Sequence, residues 1–440
     1  MSRRKRLSTE PVTVSIESLS HEGRGITHVA GKKVFVDGGL PGEKAVVQFT
    51  RQHSRYGEAR IIEVLESAPE RVEAKCEHYG VCGGCSFQHA SPEYQINHKQ
   101  RIMLEQLLHV GGVQPQEILS PLTGPVWGYR RRARLGVKYV EKKQKVLVGF
   151  REKNSPYIAD IKHCDVLHPI VGLMIEELQQ LISKLSIFRQ LPQIEVAVAD
   201  NAVALVFRHL EPLSETDTGL LKKFESDKKV IIYLQLGGLD TIRPLTPEQA
   251  VELFYVLPEY PINFNFLPVD FIQINPHINS EMVNRTLSML ELHSEDNVLD
   301  LFCGLGNFSL PMAKHCRHVT GVEGDSGLID RAKSNAERNN INNVEFYVAN
   351  LAEENLQASF INRKYDKVLL DPPRAGAMEI INHMDFRSTT RLVYVSCNPA
   401  TLARDAGILV KNKGFHLQQA GVMDMFPHTS HIESIALFTR

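Results

Sequence analysis

Alternating strand and helix signals across residues 266–440 constrain the fold of this chain more than any other feature of its sequence. Short apolar runs typical of fully buried strands occur at NVLDLFCGLG, VTGVE, NVEFYVAN, YDKVLLDPP and TRLVYVSC. Three of these runs are followed by the helical segments NFSLPMAKHC, SGLIDRAKSNAERN and LARDAGILVKNKG. Such alternation builds a parallel sheet that is covered by helices on both faces. We therefore expect a Rossmann-like α/β domain over residues 266–440.

Residues 10–68 show a different pattern, which is that of a small barrel. The segments VTVSIESL, KKVFVDG, EKAVVQFT and EARIIEVLE are rich in β-branched residues and are separated by glycine-containing turns. Four or five short strands in so few residues suit a closed, OB-like barrel, because closure removes exposed strand edges. Arg51, Tyr56 and Arg60 lie in or beside turns, which fits binding to a nucleic-acid backbone. A solvated basic face is the alternative interpretation.

Residues 75–265 predict a central domain of mixed α+β structure. SPEYQINHKQRIMLEQLLHVGG has a helix N-cap at Ser91 and a glycine stop at Gly111, and we expect helix 92–110 to pack on the C-terminal domain. Short strands are predicted at GYRRRARLGVKYV, KVLVGFRE, IEVAVAD, AVALVFRH and KVIIYLQLG. The first of these strands carries four arginines: Arg130, Arg131, Arg132 and Arg134. So many arginines on one strand favour a surface that binds phosphate groups.

The distribution of charges and cysteines bears on partners and compartment. Residues 1–160 hold 25 Lys and Arg against 17 Asp and Glu, a net charge of +8, whereas the remainder carries −9. A polyanion-binding region and random variation of surface charge explain this equally well. Seven unevenly spaced cysteines argue against a secreted disulfide framework and place the protein in the cytoplasm. No apolar run spans a bilayer and MSRRKRLSTEP lacks a signal-peptide core, so we expect no membrane partner.

A cofactor site is predicted at the carboxyl ends of the parallel strands. In LDLFCGLGNFSLP, Gly304 and Gly306 follow a strand and precede a helix, as in a dinucleotide-binding fingerprint. Ser309 stands where that fingerprint has its third glycine. The second strand ends at Glu323, in the position where an acidic group meets ribose hydroxyls.

Two more polar residues belong to the same edge of the sheet. Asn350 follows the third strand and Asp371, in DPP, ends the fourth. NAD and S-adenosylmethionine are both candidates for such an edge. The third glycine lets the backbone approach the pyrophosphate of a dinucleotide. S-adenosylmethionine carries a cationic sulfonium and has no pyrophosphate, so Ser309 at that position favours S-adenosylmethionine. The acidic second strand and the DPP motif are also typical of a methyltransferase.

Cys397, in VSCNP, is the candidate nucleophile. A cysteine that ends an apolar strand is ordinarily an inert buried thiol. Here Asn398 and Pro399 break the strand and Thr401 is predicted to begin a helix, so we expect a cleft-facing thiol whose pKa the helix N-terminus lowers. A thiolate is needed when the methyl acceptor is carbon, because sulfur addition at C6 of uracil makes C5 nucleophilic. A base must then remove the C5 proton.

Five motifs, DFIQIN, LDLFCGLGNF, DPPRAG, VSCNP and PHTSHIES, resemble in this order the RNA uracil-C5-methyltransferase family. The N-terminal barrel resembles the TRAM domain that some members carry. The segment CEHYGVCGGCSFQH resembles the iron–sulfur segment of those members. The resemblance implies that Cys397 is the nucleophile and that Glu433, in HIES, is the proton-abstracting base. It also implies that S-adenosyl-L-methionine is held by Gln273, Phe302, Asn307, Glu323, Asn350 and Asp371.

A metal centre is predicted from the cysteines outside the C-terminal domain, which are Cys76, Cys82, Cys85 and Cys164. Their spacing leaves zinc and an iron–sulfur cluster equally open. The resemblance implies a [4Fe–4S] cluster and uses the same distant cysteine as its fourth ligand. Four protein thiolates would ligate every iron, so we expect a structural cluster that joins residues 76–90 to the region of Cys164.

The resemblance also implies the partner, which is 23S rRNA, and methylation of the uridine that the 23S rRNA members modify. The tRNA member of the family lacks both the barrel and the cluster segment. We expect a monomer. The alternatives are an enzyme for another uridine or for tRNA, an RNA-binding protein with an inactive methyltransferase fold, and an NAD oxidoreductase. Intact Cys397, Glu323 and Asp371 disfavour the second, and Ser309 disfavours the third.

Overall fold

The computed structural model describes residues 10–353 and 356–440 of the chain. The basic segment MSRRKRLST, residues 1–9, in which we expect no signal peptide, lies outside the described residues. Within the described part, no helix combines the length and the apolar character that crossing a bilayer requires.

The N-terminal region is a six-stranded sheet that closes on itself. Its strands are β1 (Val12–Ser15), β2 (Ser18–Leu19), β3 (Gly25–Val29), β4 (Lys32–Asp37), β5 (Lys44–Gln52) and β6 (Tyr56–Glu66). The strand order is β1-β5-β6-β4-β3-β2, and β1 runs almost directly into β2, so the two edges of the sheet meet in one stretch of chain. In that stretch, the Glu17 N–H donates to the Ile26 carbonyl of β3 over 2.8 Å. The predicted barrel is confirmed, with β3 as an additional strand.

A long helix leaves the central region and lies on the C-terminal domain. Helix α1 (Pro92–Gln106) begins where predicted, because the Ser91 hydroxyl accepts a hydrogen bond from the Tyr94 N–H. It continues as one π-helical turn, Leu107–Gly111. A Cβ on Gly111 would lie 2.5 Å from the carbonyl oxygen of Ala403, so only glycine allows this approach of the two backbones. The short strand β7 (Glu117–Ile118) then joins the edge of the C-terminal sheet.

The central region has the α+β structure that the strand pattern predicts. Its elements are β8 (Arg132–Val140), β9 (Lys145–Gly149), α2 (Pro169–Gly172), α3 (Ile175–Ser183), β10 (Gln193–Val198), β11 (Val203–Arg208), α4 (Glu215–Lys228), β12 (Ile231–Gln235) and β13 (Arg243–Pro244). The strands form one sheet in the order β13-β12-β11-β10-β8-β9, and only β11 and β12 run parallel.

The arginines in β8 and directly before it do not form a free cationic surface. Arg131 pairs with Asp200, and Arg132 donates to the carbonyl oxygen of Pro268 over 2.6 Å. These two side chains are only 21% and 15% exposed, whereas that of Arg134 is 70% exposed. Two arginines therefore stabilise the fold, which the sequence pattern does not reveal, and phosphate binding by this strand stays a prediction.

The hairpin of β14 (Leu253–Leu257) and β15 (Ile262–Phe266) packs on the C-terminal domain. Its backbone N–H groups at Asn263 and Asn265 donate to the side-chain oxygens of Asn339 and Asn335, over 3.0 and 2.8 Å. The predicted boundary at residues 265/266 therefore does not coincide with a break in packing, because hairpin and C-terminal domain share one hydrophobic core.

The C-terminal domain is a mostly parallel sheet with helices on both faces. Its elements are α5 (Pro276–Leu290), β16 (Asn297–Leu301), α6 (Ser309–Ala313), β17 (His318–Glu323), α7 (Ser326–Arg338), β18 (Val344–Val348), β19 (Lys367–Leu370), α8 (Met378–His383), β20 (Arg391–Ser396), α9 (Pro399–Lys411), β21 (His416–Met423) and β22 (Glu433–Thr439). The strand order is β18-β17-β16-β19-β20-β22-β21-β7. From β16, successive strands are first added on one side, as β17 and β18, and then on the other side, beginning with β19, which is the topological switch point of the sheet. Open α/β sheets bind ligands at this switch point.

Candidate active site

Three carboxyl groups converge at the switch point of the sheet. Asp300 on β16 is fully buried, Glu323 ends β17 and Asp371 directly follows β19. Burial, reinforced by the neighbouring carboxylates, raises the pKa of Asp300 to about 7. Burial and Glu323 likewise raise the pKa of Asp371 to about 7. A site this acidic attracts a cation and repels a pyrophosphate, so it fits a sulfonium better than NAD.

The turn after β16 is shaped by residues with positive φ. Phe302 has φ +68° and Gly304 has φ +55°, and there is no atom within 4 Å of where a Cβ on Gly304 would lie. The Gly304 N–H donates to the Glu323 carboxylate over 3.2 Å. The same carboxylate accepts from the Gly324 N–H over 2.6 Å. Glu323 is thereby fixed beside open space above Gly304.

Ser309 explains the departure from the dinucleotide fingerprint. Its hydroxyl donates to the carboxylate of Asp300, and both residues are fully buried. A third glycine at this position would leave the Asp300 carboxyl without that donor. The serine therefore belongs to the acidic arrangement of this site.

Asn307 and Gln273 lie on the side of the site formed by β14 and α5. The Asn307 side chain exchanges two hydrogen bonds with Asn279 on α5, over 2.9 and 3.0 Å, and accepts a third from the Tyr255 hydroxyl over 2.8 Å. Gln273 lines a cavity together with Tyr255 and Asn279. Tyr255 and Asn279, which the sequence pattern does not indicate, therefore bind Asn307 and share a cavity with Gln273.

Asn350 is the most exposed of the predicted cofactor residues. It lies two residues beyond the end of β18, and its side-chain oxygen accepts a hydrogen bond from the Ala352 N–H over 3.2 Å. The neighbouring Ala349 N–H donates to the Glu323 carbonyl. The tips of β17 and β18 are therefore tied together, which places Asn350 beside Glu323 at the rim of the site.

Cys397 lies between β20 and α9, on the same edge as Asp371. The helix begins at Pro399 with Asn398 as its N-cap, which corrects the predicted start at Thr401. The Asn398 side-chain oxygen caps the helix by accepting from the Ala400 N–H over 3.1 Å. The Asn398 side-chain amide also donates to the carbonyl oxygen of Arg374, so the VSCNP and DPPRAG motifs are hydrogen-bonded to each other.

The pKa of the Cys397 thiol is raised, contrary to the sequence-based expectation. Burial is the largest cause, followed by the carboxyl groups of Glu433 and Asp371, and together they raise the pKa to about 11. Arg374 acts in the opposite direction. Burial and the two acidic groups together outweigh the helix N-terminus. Proximity to those acids is a tertiary feature that the local sequence around Cys397 does not contain.

Glu433 is the first residue of β22 and is buried, with 6% of its surface exposed. Burial and the nearby Asp371 raise its pKa well above the usual value for a carboxyl group. The structure therefore brings Cys397, Glu433 and Asp371 together, although they are far apart in the sequence. A buried carboxyl with a raised pKa beside a thiol is typical of a proton-transfer site.

The four cysteines predicted to bind a metal line one cavity, together with Gln88, Arg130 and Phe150. None of the four forms a disulfide. Burial raises the pKa of Cys85 to about 12 and that of Cys164 to about 11, so four thiolates would be stable here only around a cation.

Backbone amides around this cavity are oriented towards sulfur. The Gly84 N–H donates to the Cys82 sulfur over 3.4 Å, and amides of His78 and Val166 favour the thiolates of Cys76 and Cys164. Hydrogen bonds to sulfur and a nearby guanidinium suit a thiolate-ligated centre of net negative charge. The cysteine set therefore fits the predicted cluster.

The fold and the site define an α/β methyltransferase domain with a cysteine beside its acidic ligand site. The sequence pattern of the tRNA (Uracil-5-)-methyltransferase family matches residues 94–440, and that of the TRAM domain matches residues 5–62. The chain is 49% identical over 438 residues to the 23S rRNA (uracil(1939)-C(5))-methyltransferase RlmD of Methylococcus capsulatus, covering 100% of this chain and 99% of that protein. The chain belongs to the uracil-C5-methyltransferase family.

Further comparisons agree with this assignment. RlmD of Xanthomonas campestris pv. campestris is 45% identical over 440 residues, which cover 99% of each chain. Among solved structures, the tRNA (uracil-54, C5)-methyltransferase of Pyrococcus abyssi superposes with a TM-score of 0.73 at 24% identity, covering 97% of this chain and 100% of that one. The superposition on the Pyrococcus abyssi enzyme shows that the two chains share their fold over almost their whole length.

The raised pKa of Cys397 predicts the pH dependence of its reactivity. Because the thiolate is the reactive form, alkylation of Cys397 by iodoacetamide should accelerate about tenfold per pH unit from about pH 7 to about pH 9.5 without levelling off. Asp371→Asn should accelerate the reaction at fixed pH, since it removes a carboxylate that raises the thiol pKa. Mass spectrometry of the peptide that contains Cys397 measures the rate.

Asp385→Asn is the matched control, because Asp385 is a surface acid paired with Arg387. Its alkylation rate should equal that of the unmodified protein. A plateau near about pH 8.5, the range of an ordinary thiol, would contradict the arrangement described for Cys397.

Proposed function

We propose that this protein methylates C5 of a uridine in 23S rRNA with S-adenosyl-L-methionine as methyl donor. The observation that carries the proposal is the convergence of Cys397 and Glu433 beside the acidic site at Asp371. A methyltransferase for an exocyclic amine needs no such cysteine, whereas carbon methylation of uracil does. The full-length similarity to 23S rRNA enzymes supports the choice of RNA.

Cys397 supplies the nucleophile of the first step. Its thiolate adds to C6 of the uracil ring, the C5=C6 electron pair moves to form an enolate, and C5 becomes nucleophilic. At neutral pH the thiol is protonated, because burial and the carboxyl groups of Glu433 and Asp371 raise its pKa to about 11. A positive charge beside Asp371 opposes the carboxylates that raise this pKa, so occupation of the acidic site favours the thiolate.

Bound S-adenosylmethionine supplies an electrophilic methyl group for C5. We assign its binding to Gln273, Phe302, Asn307, Glu323, Asn350 and Asp371. Asp371 and Glu323 contribute negative charge, and the open space above Gly304 provides room beside them. Asn307 and Gln273 present amide groups from the opposite side.

Glu433 performs the last step. Its carboxylate removes the proton from C5, the C5–H electron pair forms the C5=C6 bond, and the Cys397 sulfur leaves C6 as a thiolate. Burial keeps water away from this carboxyl group, so the proton goes to a single defined acceptor. The raised pKa makes Glu433 a stronger base than an exposed carboxylate.

We propose uridine 1939 of 23S rRNA as the target, the position named for relatives that match this chain over its full length. The full-length similarity to 23S rRNA enzymes, which includes the TRAM region and the four-cysteine segment, supports an rRNA substrate. Cys76, Cys82, Cys85 and Cys164 hold a [4Fe–4S] cluster in this proposal. The enzyme acts as a cytoplasmic monomer.

Variants of the two reacting residues test the mechanism. Cys397→Ala should abolish methyl transfer and should form no covalent complex with RNA that carries 5-fluorouridine at the target. Glu433→Gln should accumulate a methylated covalent adduct on ordinary RNA, because loss of a general base slows release by about 10²–10⁴-fold. Denaturing gels with labelled methyl donor and a 23S rRNA fragment distinguish the two outcomes.

Cys316→Ala is the matched control for Cys397→Ala, since Cys316 is a buried cysteine of the same domain. It should retain both turnover and adduct formation. Normal turnover by Cys397→Ala, or by Glu433→Gln without an adduct, would contradict the roles proposed here. Methylation of a tRNA fragment in place of the 23S fragment would overturn the substrate assignment.

Metal analysis tests the cluster. Anaerobically purified protein should be brown, with about four irons and matching sulfide per chain. Cys164→Ser should lose the colour although Cys164 is distant in sequence from the other ligands. Cys303→Ser and Cys316→Ser should keep it. Stoichiometric zinc without iron would contradict the [4Fe–4S] assignment, and a cluster retained in Cys164→Ser would contradict the ligand set.

A further inference from the structure

The loop that leads into Glu433 is held by residues from outside the C-terminal sheet. This segment, residues 424–432, connects β21 to β22 and is called here the base loop. At its start, the buried Lys99 of α1 binds the Asp424 carboxylate over 2.7 Å and the Phe426 carbonyl over 2.9 Å. The Tyr129 hydroxyl donates to the Pro427 carbonyl over 3.1 Å.

His428, at the centre of the base loop, has a backbone conformation that needs such support. Its φ is +64°, which is unfavourable for a residue with a Cβ. Its N–H donates to the Gln95 side-chain oxygen over 2.8 Å. Its carbonyl oxygen accepts from the N–H groups of Ser86 and Phe87, over 2.9 and 3.0 Å. Both backbone polar groups of the strained residue are therefore bound by residues of the cysteine segment and α1.

The side chain of His428 is fixed as well. Its ring stacks on Trp127 with 3.9 Å between centroids, and its Nδ1 accepts from the Gln95 amide over 3.3 Å. Burial lowers the pKa of His428 to about 4, so the ring is neutral and Nδ1 is available as an acceptor at physiological pH. The side chain adds a second anchor to the same residue.

A further contact reaches still closer to Glu433. The Ser430 N–H donates to the Ser86 hydroxyl over 3.1 Å. Ser86 is the residue directly after Cys85, which lines the four-cysteine cavity. Ser86, the covalent neighbour of a cysteine of the proposed cluster, therefore binds a residue three positions before Glu433.

We propose that Ser86, Phe87 and Gln95 are positioning residues for Glu433, so that the four-cysteine centre sets the geometry of proton abstraction. The inference rests on the proposed function, because it assigns Glu433 the removal of the C5 proton. The metal centre then influences the step in which Glu433 removes the C5 proton and Cys397 leaves C6, in addition to any contact that the centre makes with RNA. Addition of Cys397 to C6 uses no residue of the base loop and no proton acceptor, so we expect that step to be affected much less than release.

Hydrogen exchange tests the structural half of this inference without an activity measurement. In Cys164→Ser, which should lose its metal but makes no direct change in the base loop, amides of peptide 426–432 should exchange at least about tenfold faster than in the intact protein. Peptide 344–348, which forms β18 on the far edge of the sheet, is the internal control and should not change. Metal loss with unchanged exchange in 426–432 would overturn the inference.

Partition of the reaction tests the functional half in metal-loaded protein. Gln95→Met removes both hydrogen bonds to His428, and iron content confirms that the centre remains. Covalent addition to 5-fluorouridine RNA should proceed as in the wild type. Release from ordinary RNA should slow by about tenfold to 10²-fold, as expected for a misplaced catalytic group, and the methylated adduct should accumulate.

Gln100→Met is the matched control, since Gln100 lies on the same helix and makes no hydrogen bond to the base loop within the described residues. Ser86→Ala provides a second test with a smaller change, and Ser86→Thr should rescue it by keeping the hydroxyl. Wild-type release in both Gln95→Met and Ser86→Ala would overturn the inference. Absence of an adduct in the wild type itself would instead overturn the proposed function.

Discussion

The crowding of carboxyl groups at the switch point is the constraint on which the rest of the site depends. Burial, together with the neighbouring carboxyl groups, raises the pKa of Asp300 and that of Asp371 to about 7. Burial is the largest cause of the raised pKa values of Cys397 and Glu433, and the nearby Asp371 raises both further. A cation at the centre of this group is the simplest way to relieve the repulsion. In the proposed mechanism this arrangement favours a cationic methyl donor, and a cation beside Asp371 would favour the thiolate of Cys397.

The active site is completed by parts of the chain that the domain order would place elsewhere. Helix α1 and the segment after Cys85 belong to the predicted central domain, yet they hold the base loop of the C-terminal domain. Phe87 of that segment is also buried against Leu19 and Leu40 of the barrel region. The barrel, the cysteine centre and the catalytic sheet therefore meet around a few consecutive residues. These contacts join the three regions next to the base loop that leads into Glu433.

Much of this arrangement could be predicted because it depends on short-range patterns in the sequence. The alternation of strands and helices, the Ser91 cap and the polar residues at strand ends all follow from short-range rules, and they placed Glu323, Asn350, Asp371 and Cys397 at one edge. The pKa of Cys397 was predicted in the wrong direction, because its dominant neighbours are remote in sequence. Tyr255, Asn279 and Gln95 were missed for the same reason. Their roles depend on which elements pack together, and no local spacing encodes that.

Mapping of 5-methyluridine in 23S rRNA tests the central claim most directly. The rRNA of a strain that lacks this gene is digested and compared by mass spectrometry with rRNA from strains complemented by the wild type or by Cys397→Ala. The account predicts that the methyl group at uridine 1939 is lost in the deletion strain, returns with the wild-type gene and does not return with the alanine variant. Unchanged methylation of that uridine in the deletion strain would contradict the account.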